Sequence, residues 1–254
     1  MKQLPTQVEE NDSSLSLSEK LNECAKQISS TPLQAIEALT LLQQRVSTLH
    51  LFSKNETLQD VATSHIPLLT IEHYLALAHV SCPSSSSVSR HSNITRAIDL
   101  FHAFLHKLDS MDALKPEIRK EYHHLLNLDE DCEIHRNIDD TLENSKRPYL
   151  GESRENKIAR FKLKTAAEDE VSRLRAIHQR RTRLSAEAEE EIDGYDDDGI
   201  KRDCNMAGVD RCAVEAIEEI HTALREMEML KMAVKMEQQR EQMKKHTGDE
   251  VSSG

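Results

Sequence analysis

The first glycine of this chain is Gly151, so the first 150 positions contain none. Tight turns between strands and loops that cradle phosphate groups both depend on glycine, because glycine alone adopts positive φ angles without strain. Hairpin-built sheets and phosphate-binding loops are therefore disfavoured in this region. We expect a set of helices joined by loops of Ser, Asn and Pro.

The apolar pattern supports helices throughout that region. The segment Thr31–Gln34 reads as a capping threonine, a proline at the first helical position and a capping-box glutamine. Apolar residues then recur every three or four positions, which predicts an amphipathic helix; they are Ile36, Leu39, Leu42, Val46 and Leu49.

Similar signals place the remaining helices. We expect a first helix over about 15–28. A second capping box begins at Ser53 and predicts a short helix that ends near Thr63. Another helix is expected from Pro67. The segment 82–87, Cys-Pro-Ser-Ser-Ser-Ser, is a predicted loop. Further helices are expected from Ser92 and from Pro116.

The C-terminal part divides by charge. Residues 154–183 hold ten Arg or Lys against four Asp or Glu, and residues 184–198 hold eight acidic residues and no basic one. A last helix is predicted from the apolar spacing between Val209 and Val234. The expected fold class is all-α, an irregular antiparallel array of solenoid type with one long basic helix.

The predicted organisation has three parts. Residues 1–13 are expected to be a disordered N-terminus, and residues 14–235 a helical domain with an acidic linker at about 184–199. Residues 236–254 are expected to form a charged helix end and a disordered tail. The methionines of the last helix, Met227, Met229, Met232 and Met236, are interpreted as core residues.

Composition excludes several classes of function. The net charge of −12 argues against nucleic acid as a ligand, and a mean hydropathy of −0.62 without a long apolar run argues against a membrane protein. The N-terminal residues lack the features of a secretory signal. The five cysteines are scattered and odd in number, which is typical of reduced thiols. We therefore expect a cytoplasmic location, and the same argument is compatible with the nucleus.

Signals for catalysis and metal binding are weak. His102 and His106 share a helix face at i, i+4, but a zinc site needs further converging ligands. The segment Gly194–Gly199 resembles a calcium loop but lacks the acidic residues at its first and twelfth positions. Nucleophile motifs are also missing. We therefore predict no enzyme, no cofactor and no metal.

The basic segment is the best candidate for function. On a helix, Arg154, Lys157, Phe161 and Lys164 fall on one side, so cations surround an aromatic ring in an otherwise acidic chain. A merely solvated charged helix is the alternative interpretation. The aromatic ring favours a face that docks onto an acidic, partly apolar partner.

Two motifs resemble the Tap-forty-two/alpha-four family of type 2A phosphatase-associated regulatory proteins. One is the basic helix, in which Arg154, Lys157, Ile158, Arg160, Phe161, Lys162 and Lys164 match. The other lies upstream and contains Leu51, Phe52, Ser53, Asn55, Glu56, Leu58, Asp60 and Val61. The chain departs from the family pattern at Glu72, where proline is common, and at Thr165, where lysine is usual.

The resemblance implies a tetratricopeptide-like helical array that binds a type 2A family phosphatase catalytic subunit without being an enzyme. It implies protection of that subunit before assembly and a link to TOR signalling. The partner-binding residues it indicates are Arg154, Lys157, Arg160, Phe161 and Lys164. The alternative function is a helical adaptor or scaffold that binds another protein or peptide and has no phosphatase role.

Overall fold

The computed structural model describes residues 15–53, 56–132, 153–187 and 197–251, and within these ranges all regular structure is helical. Two short 3-10 segments lie at Leu58–Asp60 and Ile66–Thr70. The α-helices are α1 (Leu17–Gln27), α2 (Pro32–Thr48), α3 (Ile71–Ser81), α4 (Ser87–Ser110), α5 (Pro116–Cys132), α6 (Arg154–Glu187) and α7 (Asp197–Val251). The predicted all-α class is confirmed.

Side-chain caps set several helix starts. Ser16 begins α1 with a full capping box, because its hydroxyl accepts from the Glu19 backbone N–H and its own N–H donates to the Glu19 carboxylate at 2.7 Å. Ser86 caps α4 by accepting from the Ser89 backbone N–H at 3.1 Å. This cap explains why α4 begins at Ser87, five residues before the predicted start at Ser92.

Two predicted local features are wrong. The Thr31 hydroxyl forms no capping box and instead donates to the carbonyl of Gln27 at 3.4 Å. The short helix expected up to about Thr63 is reduced to the 3-10 turn Leu58–Asp60. Val61 after the turn is extended, and the Arg202 guanidinium donates to the carbonyls of Leu58 and Val61 at 2.6 and 2.8 Å.

The helices form an array in which successive helices from α1 to α4 are neighbours, and α7 then packs along α4 and the 3-10 segment Ile66–Thr70. Helix α6 covers α7. These two run antiparallel, since Lys164 meets Glu218 whereas Arg175, further along α6, lines the same cavity as Cys204, nearer the start of α7. The predicted solenoid-like architecture is confirmed.

One core joins the array to α7. Phe101 and Phe104 of α4 are its largest fully buried side chains. Helix α7 contributes a buried stripe to the same core; its members include Val209, Ala213, Ile217, Ile220, Leu224 and Met227. The last helix therefore completes the core of the first half of the chain.

The apolar stripe of α2 is buried as predicted at Leu39, Leu42 and Val46, but Leu49 is exposed because α2 ends at Thr48. The interpretation of the α7 methionines as core is correct for Met227 alone. Met229, Met232 and Met236 are exposed, because they lie on the side of the helix opposite Met227 and Val234.

The charged segments differ in extent from the predictions. Helix α6 continues to Glu187 and α7 begins at Asp197, so both ends of the expected acidic linker at 184–199 are helical. Its middle and the expected disordered residues 1–13 lie outside the described residues. Helix α7 continues to Val251, beyond the predicted frayed end. Among the described helices, none is both apolar enough and long enough to cross a bilayer.

Candidate partner-binding site

Helix α6 has a packed side and an open side. Leu163 and Ala167 pack against the core and Val171 is buried, which fixes the side that faces the neighbouring helices. Arg160 lies on this side, three residues before Leu163, and is only 7% exposed. It has an interaction within the chain. A small apolar stripe at spacing of four thus determines how the helix is rotated.

The open side carries cations and apolar residues together. Arg154 and Lys157 are exposed, and Phe161 is 69% exposed beside the exposed Ile158. Neither cation has a side-chain hydrogen bond or ion pair with any residue of the described ranges. We call this surface, formed by Arg154, Lys157, Ile158 and Phe161, the α6 face.

Lys164 lies at the edge between the two sides. Its ammonium group is 2.6 Å from a carboxylate oxygen of Glu218 on α7. The hydrogen bond to Glu218 raises the pKa of Lys164, against the effect of partial burial. This lysine therefore helps to join α6 to α7.

The five candidate residues thus divide into two groups. Arg154, Lys157 and Phe161 share the open side, whereas Arg160 and Lys164 are directed to neighbouring helices. The helical spacing predicted Arg154, Lys157, Phe161 and Lys164 on one side, and the family resemblance added Arg160 to the predicted binding residues. The stripe formed by Leu163, Ala167 and Val171 was the signal that separates them.

A second group of functional side chains escaped sequence reasoning. His73 on α3 lies fully buried, with Nε2 3.4 Å from Oε2 of Glu215 on α7. Arg211 bridges the neighbouring α7 groups, with one guanidinium nitrogen 3.2 Å from Oε2 of Glu215 and another 3.6 Å from Sγ of Cys212. About 140 positions separate the two sides in sequence, so no local motif marks them. We call His73, Arg211, Cys212 and Glu215 the α3–α7 cluster.

In the α3–α7 cluster, the neighbouring ionisable groups outweigh burial in shifting the pKa values. Burial alone would lower the pKa of His73, but Cys212 and Glu215 beside it raise this pKa to about 9. Burial acts to raise the pKa of the Cys212 thiol, and His73 and Arg211 outweigh it, so that the pKa is lowered. The pKa of Glu215 is also lowered, chiefly by His73. The three pKa shifts thus have one cause, the closeness of His73 and Arg211 to Cys212 and Glu215.

Comparison with known proteins identifies the family of this chain. The family model described as the TAP42-like family matches residues 3–253. The chain belongs to the TAP42-like family. This family assignment agrees with the resemblance carried by the basic helix and by the Leu51–Val61 motif.

A curated relative and a solved structure are also similar to this TAP42-like chain. "PP2A regulatory subunit TAP46" from Oryza sativa subsp. japonica is 28% identical over 217 residues, which cover 81% of this chain and 45% of that protein. The chain thus spans less than half the length of this relative. The structure titled "The Structure of Tap42 Alpha4 Subunit" superposes with a TM-score of 0.61 at 20% identity, covering 85% of this chain and 98% of that one. At this identity the similarity establishes the fold.

Proposed function

We propose that this protein is a non-catalytic, chaperone-like regulator that binds the catalytic subunit of a type 2A family Ser/Thr phosphatase. Membership of the TAP42-like family and similarity to a PP2A regulatory subunit support this proposal. The observation that carries it is the α6 face, where two cations without a partner in the described residues lie beside an exposed phenylalanine, in a chain of net charge −12. A cytoplasmic location, also compatible with the nucleus, and a link to TOR signalling belong to the same proposal.

The α6 face is suited to an acidic, partly apolar surface. Arg154 and Lys157 have no partner within the described residues, so docking breaks no internal ion pair. Burial of the Phe161 ring contributes about 1.5–3 kcal/mol, whereas an ion pair that remains solvent-exposed contributes about 0–1 kcal/mol. Ion pairs around a buried ring lose water and gain strength. A catalytic subunit bound to the α6 face would be unable to bind its usual scaffold at the same time, because the two partners would overlap.

The test reverses the two free cations. The double variant Arg154→Glu/Lys157→Glu is expected to lose capture of a purified type 2A catalytic subunit, because two attractions become repulsions. Binding is measured by biolayer interferometry with immobilised wild type and variant, and helicity is compared by circular dichroism.

The matched control is Arg180→Glu/Arg183→Glu, which makes the same charge change at two exposed positions of the same helix. It is expected to retain binding. Capture that survives reversal at Arg154 and Lys157, or an equal loss in both double variants, would contradict the assignment of the site.

A cleft favours the adaptor function as the second candidate. Gln43 on α2, Glu72 on α3 and Lys107 on α4 line an opening of about 560 Å³ together with Phe52. Glu72 accepts from Lys107 at 2.6 Å and from Gln43 at 3.2 Å, and its second carboxylate oxygen has no hydrogen-bond partner in the described chain. Such a cleft could hold a basic peptide side chain. Affinity purification that recovers proteins but no phosphatase would support this adaptor role.

A further inference from the structure

The α3–α7 cluster brings three metal-ligating side chains together from distant parts of the sequence. One ligand atom each of His73, Cys212 and Glu215 lies within 4.8 Å of the other two. We propose that these three residues form a binding site for a divalent ion of the zinc class, which ties α3 to α7. This site is separate from the α6 face and does not depend on phosphatase binding.

The spacing of the ligand atoms fits a tetrahedral ion. Zinc bonds of about 2.0–2.1 Å to nitrogen and oxygen, set at the tetrahedral angle, place the two ligand atoms about 3.3 Å apart. Nε2 of His73 and Oε2 of Glu215 are 3.4 Å apart. Cys212 and Glu215 are spaced i, i+3 on α7, so both side chains leave the same face of that helix. The ligand atom of Cys212 lies within 4.8 Å of the other two, and a zinc–sulfur bond of about 2.3 Å requires it to lie about 3.6 Å from each.

The state of His73 is the independent observation. Its side chain is 0% exposed, and neither ring nitrogen makes a hydrogen bond within the described chain, although Nε2 faces Glu215. A buried polar group without a partner costs about 1–3 kcal/mol. The ring contacts Phe101 and Phe104, with centroids 5.7 and 5.5 Å away. Nε2 of His73 therefore faces the Glu215 carboxylate at a buried position, and an ion bound there would replace the proton of the ring.

The ligand types select the metal. A thiolate, an imidazole and a carboxylate form a set typical of zinc, whereas magnesium and calcium prefer oxygen ligands alone. Arg211 contacts Cys212 and Glu215 and orients them as an outer partner. Thiolate and carboxylate each accept more than one contact, so both can bind an ion while they contact Arg211.

The fourth position opens toward a small cavity. Tyr74, Cys212 and Gly208 are among the residues that line this space of about 190 Å³. The Tyr74 hydroxyl lies 4.0 Å from Sγ of Cys212. A water in this cavity completes a tetrahedral set, and the ion then acts as a clamp between the array and its last helix.

The experiment uses the full chain after treatment with a chelator. Titration with Co²⁺ alone is expected to give a sulfur-to-cobalt charge-transfer band that saturates at one ion per chain. Titration with Zn²⁺ alone is expected to displace the cobalt and to raise the melting temperature, since an ion that binds only the folded state stabilises it.

Cys212→Ser is the decisive variant, because it removes the sulfur ligand with little change of volume. It is expected to lose the charge-transfer band and most of the zinc-induced rise in melting temperature. Cys204→Ser is the matched control, since it makes the same change on the same helix, at a cysteine that lines the same cavity but lies outside the ligand group. It is expected to behave as wild type.

Three outcomes would overturn the proposal. They are the lack of a cobalt band in the wild type, a band that persists in Cys212→Ser, and a band lost equally in Cys204→Ser. His73→Gln and Glu215→Gln are expected to weaken zinc binding at least tenfold. If either variant fails to fold, the wild-type spectrum and the two cysteine variants still test the proposal.

Discussion

Arg160 and Phe161 are adjacent in sequence and occupy opposite environments. Arg160 is almost completely buried, whereas the ring of Phe161 is largely exposed to water. Successive residues of a helix point about 100° apart, so a single step moves a side chain from a packed side to an open one. Stability and binding are therefore assigned to different residues of the same motif.

This separation gives a paired prediction. Arg160→Ala is expected to lower the free energy of unfolding by about 1–3 kcal/mol, because it removes a packed stem and leaves its partner unsatisfied. Phe161→Ala is expected to change stability by less than about 0.5 kcal/mol and to weaken phosphatase binding by more than about 1 kcal/mol. Urea unfolding and interferometry measure the two quantities, and a stability loss confined to Phe161→Ala would contradict the orientation of α6.

At the scale of elements, α7 holds the Leu51–Val61 motif through Arg202. This side chain donates to two carbonyls of the 3-10 turn, and Asn205 donates to the carbonyl of Thr63 at 2.9 Å. Within residues 49–53 and 56–65, the regular structure is limited to the 3-10 turn Leu58–Asp60. Its conformation is therefore supplied from a helix about 140 residues further along.

The corresponding prediction concerns that support. Arg202→Ala is expected to lower the free energy of unfolding by about 2 kcal/mol, since hydrogen bonds from charged groups contribute about 1.5–3 kcal/mol. Amide exchange of residues 57–63 should accelerate more than that of α4. Lys201→Ala, a change at the exposed neighbour on α7, serves as control. Equal amide exchange rates of residues 57–63 in Arg202→Ala and Lys201→Ala would contradict this role of Arg202.

Local chemistry explains which elements could be predicted from the sequence. The helix starts at Pro32 and Pro116 depend on neighbours within a few positions, and the structure has both as expected. The same holds for the stripe of α2 as far as Val46, although Leu49 lies beyond the end of the helix. The 3-10 turn at Leu58–Asp60 depends on Arg202, and the His73 environment depends on Glu215. Contacts across such distances leave no periodic signal. The candidate site was predictable as a basic aromatic helix, but its orientation required the packing of α6 on α7.

At the scale of the whole molecule, the core is shared between the two ends of the chain. Ile217, Ile220 and Leu224 of α7 are almost completely buried in the same cluster as Phe101 and Phe104. Each fully buried Leu or Ile contributes about 1.5–3 kcal/mol, and total stabilities of single domains are about 5–15 kcal/mol. Because this net stability is small, exposing the core surface that α7 covers is expected to be enough to unfold the first half of the chain.

A fragment experiment tests this shared core. A chain that ends at Cys132 is expected to unfold without cooperativity and to bind a hydrophobic dye, because the surface that α7 covers is open. Addition of a peptide of residues 197–237 is expected to restore a cooperative transition. The same peptide with Ile217→Asp and Leu224→Asp should fail. A cooperative transition in the fragment alone, at the wild-type midpoint, would contradict the shared core.

The position of α7 late in the chain has a consequence during protein synthesis. Translation proceeds at about 5–20 residues per second, so roughly 5–20 seconds pass between the emergence of α5 and that of the buried stripe on α7. During this interval the nascent array exposes an apolar surface and is prone to aggregation. Docking of α7 forms contacts between residues that are far apart in the sequence, and such contacts form slowly during folding. A protein with a proposed chaperone-like role thus needs protection of its own unfinished core on the ribosome.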